Sequence, residues 1–244
     1  MKGWTIFTHS VRLVFENLDM ALRVSLLLYC VQAAFQIVSY MAMPAAVVPG
    51  QQFMLDPGSA LQVFFLGIAA VVASLWIAVA WHRYVLLEER PEGWLPKWHG
   101  GKILGYLGRS MLIGLVISLA ILVTMLIVMV IPMVQLLILP GIVLAGSYFF
   151  FRLGVMLPAG TVDQKLTIAE SWTATKDKDG AIVVLAVIMM VGTFLLQVPT
   201  MLSGDQSSVI TLIYNIVTGW FATMIGVSIL TTLYGHYVQG RPIE

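Results

Sequence analysis

Histidine and cysteine are two residue types in this sequence that could bind a metal ion or exchange protons in a reaction. The four histidines, His9, His82, His99 and His236, show no i,i+3 or i,i+4 spacing, and the single cysteine, Cys30, lies away from them. A zinc site needs such ligands to converge at about 2 Å. We therefore predict neither a metal nor a cofactor, and we interpret the histidines as side chains that face water or lipid headgroups.

Motifs of common enzyme classes are missing from the sequence. It contains no G-x-x-x-x-G-K-[ST] phosphate loop, no G-x-S-x-G nucleophile turn and no H-E-x-x-H zinc motif. The longest hydrophilic stretch, residues 87–107, is too short for a catalytic domain. The sequence therefore predicts that the protein is not an enzyme and has no catalytic residues.

Arg152 is the basic residue that the sequence places deepest in an apolar segment. It precedes Pro158 by six residues, so it lies up to about 9 Å inside the end of its helix. A charge at that depth is a functional hypothesis by default. One hypothesis is that Arg152 binds anionic lipid headgroups together with Arg83 and Lys165. The other is snorkelling or a structural ion pair. The candidate acidic partners for that pair are Glu88, Glu89 and Glu170.

Small and uncharged polar residues inside the apolar segments form a second group of candidates. Small residues let helix backbones approach closely, and polar groups hydrogen-bond between helices, which predicts a role in helix packing. The alternative is that these side chains line a path for a solute. The candidates are Gln32 and Gln36; Ala70, Ser74 and Ala78; and Asn215, Gly219, Thr223 and Gly226.

The composition requires lipid as the solvent for much of the chain. Of 244 residues, 59% are hydrophobic and only 10% are charged, and the mean hydropathy is +0.94. A soluble domain carries roughly 25% charged residues, so this chain cannot cover a water-exposed surface. The net charge is +1, which gives no reason to expect nucleic acid as a partner.

Five charge-free runs define the membrane-spanning segments. About 20 apolar residues cross about 30 Å of hydrocarbon, so four runs hold one helix each and the run 110–151 holds two. Pro132 is the predicted break between these two, and Pro140 is a predicted kink. Lipid-exposed backbone must be hydrogen-bonded within its own segment, which predicts an all-α polytopic membrane protein of one domain, residues 1–244. The predicted spans are 22–48, 60–86, 108–131, 135–158, 180–202 and 208–235.

The distribution of charge predicts the orientation. Threading six spans places all 13 Lys and Arg residues on one side of the membrane. Asp56 and Asp205 are the only charged residues in the segments that face the other side. By the positive-inside rule, both termini then lie in the cytoplasm. We predict a multi-pass protein of the bacterial cytoplasmic membrane.

Amphipathic segments precede each pair of spans on the cytoplasmic side. Residues 4–18 place Trp4 and Val14 on one helical stripe, which predicts a helix that rests in the headgroup layer. Residues 167–178 start with the T-x-x-E spacing of a capping box, and residues 94–106 form a weaker segment. The pattern predicts three repeats of an amphipathic helix plus a helical hairpin. The alternative is that any six-span protein with polar cytoplasmic loops shows this pattern.

Residues 148–185 also carry a set of short motifs. They are Tyr148-Phe-Phe-Phe-Arg152, Leu157-Pro158-Ala159, and Glu170-Ser171-Trp172 followed by Thr175. In these motifs the segment resembles a group of bacterial six-span membrane proteins of unknown function, which are similar to the membrane domain attached to some glycerophosphodiester phosphodiesterases. The phosphodiesterase catalytic domain is absent from this chain. The resemblance implies a polytopic protein of the cytoplasmic membrane that works near lipids or other membrane proteins.

Together, these observations predict a non-catalytic integral membrane protein, an accessory or scaffold subunit of a membrane assembly. Its expected partners are membrane lipids and other membrane proteins. The alternative is a transporter or a lipid-handling protein, in which Gln32, Gln36 and the polar face of the sixth span line a path. A water-accessible cavity that reaches these residues would favour the alternative, whereas small-residue grooves that face lipid would favour the scaffold.

Overall fold

The helices of the protein follow the apolar runs of its sequence. The structure is a computed structural model that describes residues 2–42, 56–128, 135–176, 179–203 and 208–243, and no strand occurs within these ranges. The helices are α1 (Lys2–Glu16), α2 (Leu18–Ala42), α3 (Pro57–Leu87), α4 (Gly100–Val128), α5 (Gln135–Leu153), α6 (Met156–Thr161), α7 (Ile168–Thr175), α8 (Asp179–Leu202) and α9 (Val209–Tyr237).

Six segments of the described chain are helical, long and apolar enough to cross a membrane, which confirms the prediction of a multi-pass membrane protein. They are α2, α3, α4, the α5–α6 pair, α8 and α9. Each of them overlaps one predicted span. Several features of the prediction lie outside the described residues, namely residues 43–48, 129–132 with the predicted break at Pro132, 177–178 and Asp205.

The prediction of a separate amphipathic helix at residues 94–106 is wrong. Residues 88–99 are non-helical, and the helix that begins at Gly100 runs without interruption into the third span. Pro91 and Pro96 explain the difference, because proline lacks the backbone N–H that a helix interior requires.

The non-helical stretch instead folds back along α3. The indole Nε1 of Trp76 donates to the carbonyl oxygen of Lys97 at 3.2 Å, and the rings of Trp76 and Trp98 meet edge to face. Trp76 lies eleven residues before the end of α3, which is about 16 Å along the helix axis. The last part of α3 therefore projects beyond the point at which α4 begins.

The fourth span is interrupted, but not at the predicted kink. α5 continues through Pro140, and the helix breaks at Gly154 and Val155 before α6 begins. A proline inside a membrane helix is tolerated because neighbouring groups can satisfy the backbone carbonyl that it leaves free.

The helices α2, α3 and α9 form the central packing unit. Tyr84 in the last turns of α3 donates its hydroxyl to Asn17 just before α2, so these two helices run antiparallel. Ser10 of α1 donates to Thr232 near the end of α9 at 2.9 Å. These contacts define one end of the bundle, where α3, α6 and α9 end and α4 and α8 begin. We call it the charged end, because the described basic residues of the connecting segments lie there.

A helix, α1, covers most of the first segment that the sequence predicts to be amphipathic, but its packing differs from the prediction. α1 packs against α8 and α9 and buries Gly3, Ile6, Ser10 and Val14 in this contact. The prediction had placed the apolar stripe of this helix against lipid headgroups. Trp4, which belongs to that stripe, is 55% exposed. Periodicity located the helix, whereas the small residues at the contact decided which face approaches the bundle.

In the third predicted amphipathic segment, the helix α7 begins at the predicted capping box. Thr167 caps α7, and its hydroxyl and the carboxylate of Glu170 form the reciprocal hydrogen bonds of a capping box. Separate short helices therefore precede the hairpins that begin with α2 and α8, and none precedes α4. The three-unit repeat stays a prediction.

The side-chain core lies toward the charged end. In α8 the fully buried residues Ile182, Leu185 and Ala186 belong to the first turns, whereas Phe194 and Leu195 further along are largely exposed. The same trend holds in α3, where burial concentrates after Ala70. The spans are therefore packed tightly at the charged end and present more of their apolar side chains to lipid at the opposite end.

Candidate functional site

Two buried tryptophans tie the central helices together. Trp81 of α3 donates its indole N–H to Ser228 of α9 at 2.8 Å, and Trp220 of α9 donates to Ser25 of α2 at the same distance. Both pairs are buried. A buried donor without a partner is costly, so these two bonds fix the register of α9 against both neighbours.

His82 lies in the same buried layer. It is 0% exposed, with Nδ1 2.8 Å from the hydroxyl of Thr231 and Nε2 3.3 Å from the hydroxyl of Tyr106. The interpretation of His82 as a headgroup-facing residue is therefore wrong. The sequence could not reveal this, because the Trp-His-Arg-Tyr pattern of an interfacial aromatic belt also fits a buried polar layer. With both ring nitrogens in contact with hydroxyl groups, the imidazole joins α3, α4 and α9.

Arg83, one of the candidate lipid contacts, is bonded within the chain. Its guanidinium contacts the carboxylate of Glu89 through Nε at 2.8 Å and donates to the carbonyl oxygen of Thr161 at 2.7 Å. His99 contacts the other oxygen of Glu89 at 2.6 Å. Partial burial alone would raise the pKa of Glu89, but the hydrogen bonds and charges of Arg83 and His99 outweigh burial and lower it. This cluster joins α3, α6 and the stretch 88–99.

Arg152 is held by aromatic and polar groups of α5 and α7. It is 2% exposed, and its guanidinium lies 3.9 Å from the ring centroid of Trp172. It also donates to the hydroxyl of Tyr148 at 2.6 Å, to the carbonyl of Trp172 at 3.0 Å and to Thr175 at 3.3 Å. The motif residues Tyr148, Arg152, Trp172 and Thr175 thus form one latch between α5 and α7.

Glu88, Glu89 and Glu170 were the predicted acidic partners of Arg152. In the described part of the chain, none of them forms an ion pair with it. Glu89 pairs with Arg83, and Glu170 caps its own helix, where the hydrogen bonds of Thr167 lower the pKa of that carboxyl. Glu88 is the exposed C-cap of α3. Lys165, the remaining candidate lipid contact, is exposed in the segment before α7. Contact of these three basic residues with lipid stays a prediction.

A groove between α2 and α3 gathers four of the predicted packing or path residues. Its volume is about 790 Å³, and Gln32, Gln36, Ala70 and Ser74 line it. The rest of the lining is apolar, with Gly67 among the contributing residues. The Nε2 atom of Gln32 is buried without a hydrogen-bond partner in the described part of the chain.

The polar face predicted on the sixth span lies elsewhere. None of the residues Asn215, Gly219, Thr223 and Gly226 lines the α2–α3 groove. Thr223 donates its hydroxyl to the carbonyl of Gly219, its own backbone one turn earlier. Tyr29 of α2 packs close to Gly219 and donates to the carbonyl of Ile216 at 2.7 Å. The structure therefore does not bring the glutamine pair and the α9 face into one cavity.

Ala78, the last residue of the small stripe on α3, also lies away from the groove. It is 5% exposed and packs in the core cluster that contains Ile113 of α4 and Ile229 of α9. The stripe thus serves two environments, with its outer part in the groove and its last residue in the core.

Sequence analysis missed a second groove, between α5 and α8. Its volume is about 700 Å³, and it is lined mainly by apolar residues, with Ser147, Thr193 and Gln197 as polar members. Pro140 lies at its edge. Three methionines contribute to the wall, and such flexible side chains adapt to different contacts. The polar residues were visible in the sequence, but their convergence depends on the packing of α5 against α8.

No family model matches the chain, and neither a curated protein nor a solved structure matches it. The resemblance of residues 148–185 to other six-span proteins therefore stays a prediction.

Proposed function

We propose that the protein is a non-catalytic scaffold or accessory subunit of a membrane assembly in the bacterial cytoplasmic membrane, with both termini in the cytoplasm. The observation that supports this proposal is the pair of grooves, α2–α3 and α5–α8, on a bundle whose charged end is tightly packed. Grooves at membrane depth that are lined by apolar and small residues fit the side chains of a neighbouring helix.

The α2–α3 groove contains a buried hydrogen-bond donor that a partner helix could bind. The buried Nε2 of Gln32 lacks an acceptor, and an unmade hydrogen bond of this kind costs about 1–3 kcal/mol. A backbone carbonyl or a polar side chain of a neighbouring membrane helix supplies that acceptor. Interhelical hydrogen bonds of this kind contribute about 1 kcal/mol in membranes.

The arrangement gives less support to the alternative of a transporter. The predicted path required the glutamine pair and the α9 face to share a cavity, and they are apart. A lipid-handling role is the form of the alternative that the α2–α3 groove fits, because its apolar walls would accept an acyl chain. The test below separates a partner helix from an acyl chain.

The test is to substitute Gly67→Leu, which fills the α2–α3 groove, and to purify the protein from its own membranes in mild detergent. One chain has a mass of 26.8 kDa, so a complex with a second membrane protein is visible by native mass spectrometry. We expect the wild type in a discrete complex of defined composition and the variant as a folded lone chain. A new Cβ at residue 67 would lie 3.2 Å from the ring of Phe35, so a small decrease in the melting temperature of the variant is expected from that contact.

Gly114→Leu on α4 is the matched control, because a side chain there meets nothing within 4 Å. A wild type that purifies alone would refute the scaffold. A wild type that instead retains one phospholipid, lost on Gly67→Leu and kept on Gly114→Leu, would establish the lipid-handling alternative.

A further inference from the structure

Arg109 of α4 occupies a slot formed by two glycines. Its guanidinium lies so close to Gly160 of α6 that a Cβ at residue 160 would overlap it. A Cβ at Gly105, one turn earlier on α4, would lie 3.3 Å from Arg109 Nη1. The side chain therefore runs back toward the start of its helix, at the charged end, and its guanidinium lies where neither glycine presents a side chain.

The guanidinium in this slot has no partner among the residues that the structure describes. Arg83, Arg152 and Arg241 each donate hydrogen bonds to side chains or backbone carbonyls, whereas Arg109 forms no ion pair, hydrogen bond or ring contact there. The acidic residue nearest in sequence to Gly160, Asp163, forms an ion pair with Lys102. The charge of Arg109 is thus available to an anion from outside the chain.

The surroundings of Arg109 identify the source of that anion. Leu112 and Leu115, one and two turns further along α4, are 41% and 67% exposed on a helix that crosses the membrane. Arg109 lies nine residues after Gly100, about 14 Å along the helix, and its side chain reaches back toward the interface. A membrane phospholipid carries an anionic phosphate close to its acyl chains, so it can contact the guanidinium and the exposed Leu112 and Leu115 together.

We propose that Arg109, in the slot between Gly105 and Gly160, binds the phosphate of a membrane phospholipid at the charged end. Arginine suits this role because its planar guanidinium donates two parallel hydrogen bonds to phosphate oxygens and is always charged. The two glycines make room for the guanidinium against the backbones of α4 and α6. This site is separate from both grooves and does not depend on the proposed scaffold role.

The experiment measures lipid retention on the full-length protein. The delipidated chain is incubated with phosphatidylglycerol, and native mass spectrometry at rising collision energy gives the fraction that keeps one lipid. We expect Arg109→Gln and Gly160→Ala each to lower the apparent affinity about tenfold or more, as the loss of a charge-assisted hydrogen bond predicts. Gly108→Ala is the matched control, since a Cβ there meets nothing within 4 Å.

Each outcome decides the proposal. Equal retention by the wild type and by folded Arg109→Gln would overturn it. If Arg109→Gln does not fold, Arg109→Lys and Gly160→Ala, checked by melting temperature, carry the same test. Inorganic phosphate that raises the melting temperature of the wild type and displaces phosphatidylglycerol, with no effect of the acyl chains on affinity, would identify a free-anion site and overturn the assignment to lipid.

Discussion

Gly3 of α1 and Ala181 of α8 lie in backbone contact. A Cβ at residue 3 would overlap the carbonyl oxygen of Ala181 and approach the side chain of Val184 within 3.0 Å. This contact, together with the hydrogen bond from Ser10 to Thr232, holds α1 against the first turn of α8 and the last turns of α9. The docking of the amino-terminal helix thus rests on a residue without a side chain.

Gly3→Ala should therefore weaken the docking of α1. We expect a loss of about 1–3 kcal/mol in unfolding free energy, because the nearest obstructing atom, the carbonyl oxygen of Ala181, belongs to the backbone and cannot rotate away. Thermal unfolding in detergent measures it. Gly101→Ala is the control, since a Cβ there meets nothing within 4 Å, and it should be neutral or gain up to about 1 kcal/mol from helix propensity. Equal effects of both substitutions would contradict the assignment.

The bond between Trp81 and Ser228 makes a second prediction. Ser228→Ala leaves a buried indole N–H without an acceptor, which should cost about 1–3 kcal/mol. In Trp81→Phe the donor is absent, so removing Ser228 as well should cost much less. A double-mutant cycle measures the coupling, and additive effects would show that the bond contributes little.

Substitution of Arg152 separates its structural role from headgroup binding. Arg152→Lys keeps the charge but loses the stacking on Trp172 and several hydrogen bonds. If the latch is structural, we expect a loss of about 2–4 kcal/mol for both Arg152→Lys and Arg152→Gln. If headgroup binding dominates, Arg152→Lys should retain bound anionic lipid and stability, and Arg152→Gln should lose both.

The cluster around Glu89 predicts a dependence of stability on pH. The pKa of Glu89 is lowered in the folded protein from its ordinary value of 4.5, so the folded state favours the charged carboxylate. The resulting stabilisation is complete above that ordinary value and disappears as pH falls through the lower, folded-state pKa. We expect the melting temperature of the wild type to fall in this acidic window, and that of Glu89→Gln to fall less.

Glu92→Gln provides the control for that measurement, because Glu92 is exposed in the same non-helical stretch. Asp163 and Glu170, whose pKa values are also lowered, titrate in the same acidic range, so Glu89→Gln should remove only part of the slope. Identical pH profiles for wild type and Glu89→Gln would exclude a contribution from the Arg83–Glu89–His99 cluster.

The predicted orientation is testable by thiol labelling. Two single-cysteine variants are made in a Cys30→Ser background, which removes the exposed native thiol. One carries Glu92→Cys and the other carries Ser203→Cys. A membrane-impermeant maleimide applied to intact spheroplasts should label the Ser203→Cys variant and leave the Glu92→Cys variant unlabelled until the membrane is opened. The reverse pattern would place the termini outside the cytoplasm.

Features set by residues close together in the chain were predictable from the sequence. The number of spans follows from charge-free runs long enough to cross hydrocarbon, and the structure places a helix in each. The start of α7 follows from a Thr and a Glu three residues apart, which form the capping box. The approximate position of α1 follows from its helical periodicity. Each of these depends on backbone hydrogen bonding and on the medium around a single segment.

Features that join distant segments required the tertiary structure. The sequence predicted His82 to be an interfacial residue. In the structure its ring nitrogens contact the hydroxyl groups of Thr231 and Tyr106, which belong to two other helices. The slot for Arg109 exists because α6 packs against α4 and brings Gly160 beside the Arg109 guanidinium. A sequence gives the composition of each helix face but not which faces meet, because that choice depends on side-chain packing summed over all the helices. The chain alone therefore determined a six-span membrane protein with one charged side, and only the packing of its helices decided which polar groups are buried, bonded or left for a ligand.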